Sequence, residues 1–236
     1  MSKLHKMSRK KGIAVVLVSG GMDSALTAAY AAKLYEPAFL HINYGQKTQK
    51  RELKAFNDIA KYYNVNRKLV ADISYLKDIG GSSLTDNKIK ITKADLKNKS
   101  IPSSYVPFRN ANILAIAVSW AEVLKAHAIF IGAVEEDSSG YPDCRDKFFK
   151  EFENMVKWGT KPGSAIKIVT PLIKQTKKQI VLNSYKYMSP VQLTWSCYKS
   201  NSIACGVCDS CALRLRGFNR AGMIDPIHYK TTPNYN

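Results

Sequence analysis

No stretch of this sequence reaches the roughly 18 consecutive apolar residues of a membrane-spanning helix; even residues 113–124 are interrupted by Ser119 and Glu122. No secretory leader is expected either. The basic start, Lys3 to Lys11, precedes only six apolar residues, Ile13 to Val18. The usual apolar core of a leader is about 7 to 15 residues, and Gly-Gly-Met-Asp is no cleavage site. A soluble, cytoplasmic protein is the expectation. Internal repeats and low-complexity linkers are also absent. With 236 residues and 45% hydrophobic content, the chain has enough apolar material for one full core.

Acidic charge is scarce: 36 Lys and Arg stand against 18 Asp and Glu, a formal net charge of +18. Such a balance favours anionic partners, either nucleic acid or phosphorylated substrates. Much of the excess sits in an N-terminal arm and in residues 88–99, which contain five lysines and look like a solvated insertion. A basic surface tuned only for solubility is the competing reading.

No G-x-x-x-x-G-K-[ST] and no G-x-G-x-x-G is present. A different glycine loop is: Ser19-Gly20-Gly21-Met22-Asp23-Ser24 directly follows the apolar run 13–18 and leads into an alanine-rich stretch. Strand, tight loop and helix in that order make an anion site. The two glycines allow close backbone approach, Ser19 and Ser24 can donate hydrogen bonds, and the first helical amides point toward the same place. Val18 to Leu26 is therefore the expected nucleotide-binding segment. The bland alternative is a βα turn whose glycines serve tight geometry alone.

Apolar runs of strand length alternate with helix-length segments, which predicts βαβ units and an open, doubly wound, mainly parallel sheet of α/β class. Strands are expected at 13–18, 38–43, 67–71, 128–133 and 166–170, and helices at 24–34, 48–63, 110–125, 144–158, 176–188 and 209–221. Residues 73–109 are too long for an ordinary connection and are expected to form a lid, substrate loop or mobile segment. The expected organisation is a basic arm (1–11), an ATP-binding α/β domain (12–190) carrying the insertion 73–109, and a C-terminal segment (191–236) on the same domain. In open α/β sheets, ligands bind beyond the carboxyl ends of the strands, so the loops near Ser19, Tyr44, Asp72, Ala133 and Pro171 should line one crevice.

Four of the five cysteines, Cys197, Cys205, Cys208 and Cys211, fall within fifteen residues as C-x7-C-x2-C-x2-C. Four soft thiolates suit one tetrahedral, structural Zn²⁺, which would leave the net charge near +16. Disulfides or an iron-sulfur cluster are the alternatives. The loop from Glu135 to Arg145 gathers carboxylates, an aromatic, a thiol and a guanidinium at a strand end. Its plain reading is a polar turn capping the next helix. Cys144 is either a nucleophile or a small packing residue. His41, His127 and His228 are scattered, and His41 is the one expected nearest the nucleotide.

Ser19 to Ser24, Tyr44-Gly45-Gln46, Tyr105-Val106-Pro107-x-Arg109-Asn110, Ser139 to Arg145, Thr194 to Tyr198, Cys205-Gly206-x-Cys208-Asp209-Ser210-Cys211 and Ala221-Gly222-x-Ile224-Asp225-Pro226 together resemble the QueC family of PP-loop ATP pyrophosphatases, the 7-cyano-7-deazaguanine synthases. The likeness runs from about residue 13 to residue 229; only the basic arm and the lysine-rich insertion depart from it. It implies a Rossmann-like fold of the adenine nucleotide alpha hydrolase type. It also implies conversion of 7-carboxy-7-deazaguanine and ammonia to the nitrile, through adenylated intermediates, for queuosine or archaeosine in tRNA.

On that resemblance, Ser19 to Ser24 hold pyrophosphate, with Mg²⁺ bridging to Asp23. Arg109 and Arg145 face the carboxylate or α-phosphate. Asp137 and Asp143 accept from the guanine-like edge, and Tyr105, Phe108 or Tyr141 stack on its face. Ammonia is expected from solution or a separate partner, and a two-fold homodimer is the default oligomer. Two rivals are an ATP pyrophosphatase that modifies a tRNA base and a non-enzymatic zinc-knuckle RNA-binding protein.

Overall fold

A computed structural model describes residues 10–97, 100–135 and 140–235; Asp137 of the sequence reading lies outside them. Five parallel strands form one sheet in the order β3-β2-β1-β4-β5. They are β1 (Ile13–Leu17), β2 (Glu36–Asn43), β3 (Lys68–Asp72), β4 (Ala128–Phe130) and β5 (Lys167–Val169). The helices are α1 (Met22–Leu34), α2 (Gln49–Tyr62), α3 (Leu76–Ile79), α4 (Arg109–Val123), α5 (Asp146–Gly159), α6 (Lys177–Lys186) and α7 (Asp209–Ala221). The doubly wound α/β expectation holds. Among the described residues, no helix is long and apolar enough to cross a membrane.

Strand alternation divides the core. Val15, Leu17, Leu40, Ile42 and Ile129 face Leu114 and Ala117 of α4 and Phe149 and Phe152 of α5. Their neighbours Ala14, Val16, Phe39 and Phe130 face Ala25 and Ala28 of α1 and Phe56 and Ile59 of α2. Both faces are covered, so the strands read as continuous apolar runs. The chain winds one way from β1 to β3 and then crosses to β4 on the other side of β1. That reversal opens a crevice at the carboxyl ends of β1 and β4.

The long insertion, expected as a lid, substrate loop or mobile segment, is tied down over much of its length. Ser82, Ser83, Leu84 and Thr85 are buried. The Leu84 carbonyl accepts from Lys47 N–H at 3.0 Å, and Ala94 N–H donates to the Val207 carbonyl at 2.8 Å, linking the insertion to the loop before α2 and to the cysteine segment. Backbone pairing and buried small side chains supply what sequence polarity hid. Lys88, Lys90, Lys93 and Lys97 remain exposed, as their charge requires.

The C-terminal segment is anchored by a buried ion pair. Arg214, 2% exposed, grips Asp225 twice, Nε to Oδ2 at 2.7 Å and Nη2 to Oδ1 at 2.9 Å. Its remaining nitrogen Nη1 donates to Thr194 Oγ1 at 2.7 Å, and Tyr229 donates its hydroxyl to Asp225 Oδ2 at 2.7 Å. Satisfied this fully, the two charges fix how α7 and the last turn meet.

Candidate functional site

A cleft of about 260 Å³ opens above the carboxyl ends of β1, β2 and β4. The loop from Ser19 to Ser24 forms its floor, with Ile131, Gly132 and Ala133 after β4 and Trp195, Ser196 and Tyr198 on the far wall. Gly21 caps α1 without a side-chain acceptor, so the first amides of the helix face an anion-sized space. Ser24 donates its hydroxyl to the Gly21 carbonyl at 2.9 Å, and Gly21 N–H donates to Ser19 Oγ at 3.3 Å, holding the turn closed. Gly20 has φ +95°, and a Cβ there would lie 2.7 Å from the Glu52 carbonyl oxygen. Only glycine lets the loop press this closely against α2.

Three helices deliver their first turns to this cleft, α1 with Asp23, α2 with Glu52 and α4 with Arg109, and α6 brings Lys177 to an adjoining pocket that shares Asp23 and Arg109 with it. The common cause is topology. Every helix that follows a parallel strand starts at the carboxyl edge of the sheet, so its first turn borders the crevice.

Sequence reasoning missed Lys177 and Glu52. Lys177 Nζ lies 2.5 Å from Asp23 Oδ2, and Lys177 is largely buried. The loop therefore does receive a lysine, from a point 154 residues further along the chain. The signal was available in Thr176 and Gln179, which form a capping box and fix where α6 begins. Gly217 of α7 clears space for this lysine: a Cβ there would sit 2.9 Å from the Lys177 Cβ.

Arg109 reaches the cleft with its guanidinium 5.0 Å from the centre of the Tyr44 ring, and Nη1 donates to the Tyr44 hydroxyl at 3.3 Å. Asp143 is only 3% exposed. Its Oδ2 accepts from the Asn110 backbone N–H at 2.9 Å, bracing the start of α4, while Oδ1 has no hydrogen-bond partner among the described residues. Burial pushes its carboxyl above the ordinary range, opposed by the Asn110 bond and by Arg109. Cys144 lines the cleft and accepts from Asn110 Nδ2 at 3.3 Å. Desolvation pushes its thiol up to about 11, the state of a packing residue and not of an activated nucleophile.

The aromatic candidates separate. Tyr141 is buried, lines the pocket adjoining the cleft, and its ring centre lies 5.5 Å from that of Tyr105. Phe108 is 62% exposed with φ +55°, packs edge-on to Phe148, and stands outside the lining. Arg145 caps α5, is exposed, and likewise does not line the cleft. His41 turns away from the nucleotide loop's open side: it lies against Phe56, with Nδ1 2.9 Å from the Val18 carbonyl. Alternation along β2 sends Leu40 and Ile42 to the cleft and His41 to the opposite face.

Behind the far wall, the sulfurs of Cys197, Cys205, Cys208 and Cys211 all lie within 4.8 Å of one another and could hold a metal ion. Backbone N–H groups of Lys199 and Cys205 point at Cys197 Sγ, each at 3.3 Å, and that of Val207 at Cys205 Sγ at 3.4 Å. Such donors stabilise thiolates, the ligating form. The cluster connects to the nucleotide loop two residues upstream, where Trp195 N–H donates to the Gly20 carbonyl at 2.8 Å.

Comparison with known proteins agrees with this geometry. The family described as Queuosine biosynthesis protein QueC matches residues 13–222. The 7-cyano-7-deazaguanine synthase of Chloroherpeton thalassium is 58% identical over 94% of this chain and 99% of its own length. Those of Chlorobium phaeobacteroides strains DSM 266 and BS1 are 57% and 56% identical, each over 94% of this chain and 99% of the relative. The chain belongs to the QueC family.

Proposed function

We propose that this protein is an ATP-dependent ligase that converts 7-carboxy-7-deazaguanine and ammonia to 7-cyano-7-deazaguanine. The observation that carries the reading is the meeting of an uncapped helix N-terminus with two cationic side chains, Arg109 in the cleft and Lys177 in the adjoining pocket, where it pairs with Asp23. A carboxylate resists attack by ammonia because oxide is a poor leaving group. Attack of its oxygen on the α-phosphorus of ATP expels pyrophosphate and leaves an acyl adenylate, whose leaving group is AMP. Ammonia then gives the amide, and a second activation at the amide oxygen allows loss of AMP to form the nitrile.

In this scheme Ser19, Gly20, Gly21, Ser24 and the first-turn amides of α1 take the departing pyrophosphate. Lys177 neutralises its growing charge, Asp23 holds Lys177 in place, and the Asp23 carboxylate would also be the group to hold Mg²⁺, which would supply further charge neutralisation on the phosphates. Arg109 is suited to the substrate carboxylate or the α-phosphate. The unpartnered Oδ1 of Asp143 keeps that residue, with Asp137, among the candidates for the guanine-like edge, and Tyr141 is favoured over Phe108 as the stacking ring by its place in the pocket adjoining the cleft. We further assign Zn²⁺ to the four thiolates, in a closed site that supports the wall Trp195 to Tyr198 and takes no part in bond-making. A cytoplasmic homodimer completes the proposal. Turnover of the free base without RNA, followed by mass spectrometry, tests it; consumption of tRNA in place of the base would favour the RNA-modifying rival.

A further inference from the structure

We infer that Glu52 forms an ammonium-binding subsite and takes the proton that ammonium must lose before it can attack. The inference rests on the carboxylate-to-amide chemistry proposed above. Two carboxylates line the cleft among the described residues, Asp23 and Glu52. Asp23 is paired with Lys177; Glu52 forms no ion pair among those residues. Instead its oxygens accept from two neutral donors, Thr48 Oγ1 at 2.6 Å on Oε1 and Gln46 Nε2 at 3.0 Å on Oε2. Each carboxylate oxygen can accept twice, so both keep a lone pair for a ligand. The nearest charged or titratable groups on other elements are Arg109 of α4 and Tyr44 at the end of β2, and neither hydrogen-bonds to Glu52.

An unpaired carboxylate in a cleft for two anionic substrates repels both, unless it serves the one reactant that is a cation. Ammonia is that reactant. Like a lysine amine, it is almost wholly protonated at neutral pH and then has no lone pair to offer. A chain with net charge +18 also repels ammonium from its general surface, so a local acceptor is needed. Desolvation holds the Glu52 carboxyl above the usual range, opposed by the Thr48 and Gln46 bonds, which makes it a better base than an exposed glutamate. In the step, Glu52 accepts one proton from ammonium. The freed lone pair forms the C–N bond, the acyl C–O bond breaks and AMP departs with the electron pair; the bound nitrogen gives a second proton to solvent, which leaves the neutral amide, and the proton on Glu52 also returns to solvent.

Binding is read first without chemistry. Ammonium chloride should raise the Tm of the wild-type protein above its value in tetramethylammonium chloride at equal concentration, and the difference should vanish in Glu52→Gln. Equal responses in the two proteins would overturn the inference whether or not the enzyme makes a nitrile. In turnover, Glu52→Gln should raise the KM for ammonium about ten- to a hundredfold, the loss of a charge-assisted hydrogen bond. The KM for ATP and substrate-dependent ATP–pyrophosphate exchange should stay near wild type. The defect should shrink above about pH 9, where free ammonia becomes abundant. Hydroxylamine, uncharged at neutral pH, should be used equally well by both proteins. A parallel loss of ATP–pyrophosphate exchange would instead give Glu52 to the nucleotide and overturn the ammonium assignment. Glu52→Gln conserves shape, and the Thr48 hydroxyl can turn to suit the amide, so the variant is expected to fold.

Discussion

Lys177 Nζ lies 2.5 Å from Asp23 Oδ2, so the first turn of α6 delivers a cation to the first turn of α1 across 154 residues of sequence. The loop Ser19 to Ser24, which has no lysine of its own, thereby acquires one. Lys177→Met keeps the length of the side chain and removes the charge. It should raise the KM for ATP about ten- to a hundredfold, with a smaller effect on the KM for the deazaguanine substrate. Steady-state kinetics with each substrate varied in turn checks this; an unchanged KM for ATP would remove Lys177 from the nucleotide site.

Gly217 holds that lysine in place from the opposite helix. An added Cβ would come within 2.9 Å of the Lys177 Cβ and 3.0 Å of its carbonyl oxygen. Gly217→Ala should therefore force α6 and α7 apart, costing about 1 to 3 kcal/mol as overpacking does. It should also weaken ATP binding, although residue 217 touches no substrate. Urea denaturation and ATP titration together test the link, and a variant with wild-type values in both would break it.

The thiolate cluster predicts one metal ion per chain by elemental analysis, zinc by its ligand set. Metal binding at such sites contributes an apparent ~10 to 16 kcal/mol in zinc peptides, so Cys208→Ser or a strong chelator should lower Tm sharply. Because Trp195 N–H bonds the Gly20 carbonyl, ATP affinity should fall in step with metal content. A melting temperature that ignores metal removal would contradict the structural role.

His41 gives the fold a pH dependence unrelated to turnover. Burial lowers its pKa, outweighing the Val18 carbonyl that accepts from Nδ1–H and favours the charged form. A depressed value means the folded chain binds the proton less readily than the unfolded one. The neutral ring's contribution is thus complete above about pH 6.5 and is lost as pH falls below it. His41→Gln can still donate to Val18 but does not titrate. Its Tm should fall less than that of wild type between about pH 6.5 and 5; identical slopes would show that His41 does not contribute.

The strands and the long helices are legible in the sequence because both faces of the sheet are covered and each buried run is punctuated by a polar helix start. Local chemistry also exposed the loop Ser19 to Ser24 and the four cysteines, since each is contiguous or nearly so. Glu52 and Lys177 escaped because their meaning lies in where parallel strands end. Glu52 stands in no distinctive local pattern, the capping box of Thr176 and Gln179 marks only where α6 begins, and the sheet order alone brings the two helices to one edge. Phe108 and Arg145 are suggested by their adjacency to suggestive residues, and both side chains are exposed, outside the lining of the cleft. The insertion misled through its polarity, because Ser82, Ser83 and Thr85 are buried by packing that a polar sequence does not announce.

The central claim is that the substrate carboxylate is activated as an adenylate over the loop Ser19 to Ser24. Substrate labelled with ¹⁸O in both carboxylate oxygens tests it most directly, with AMP, pyrophosphate and phosphate analysed by mass spectrometry after one full conversion. The account predicts two AMP per nitrile, each carrying one ¹⁸O in its phosphate, and unlabelled pyrophosphate. Label in inorganic phosphate with ADP as the nucleotide product would mean that the γ-phosphate is transferred, and would contradict it.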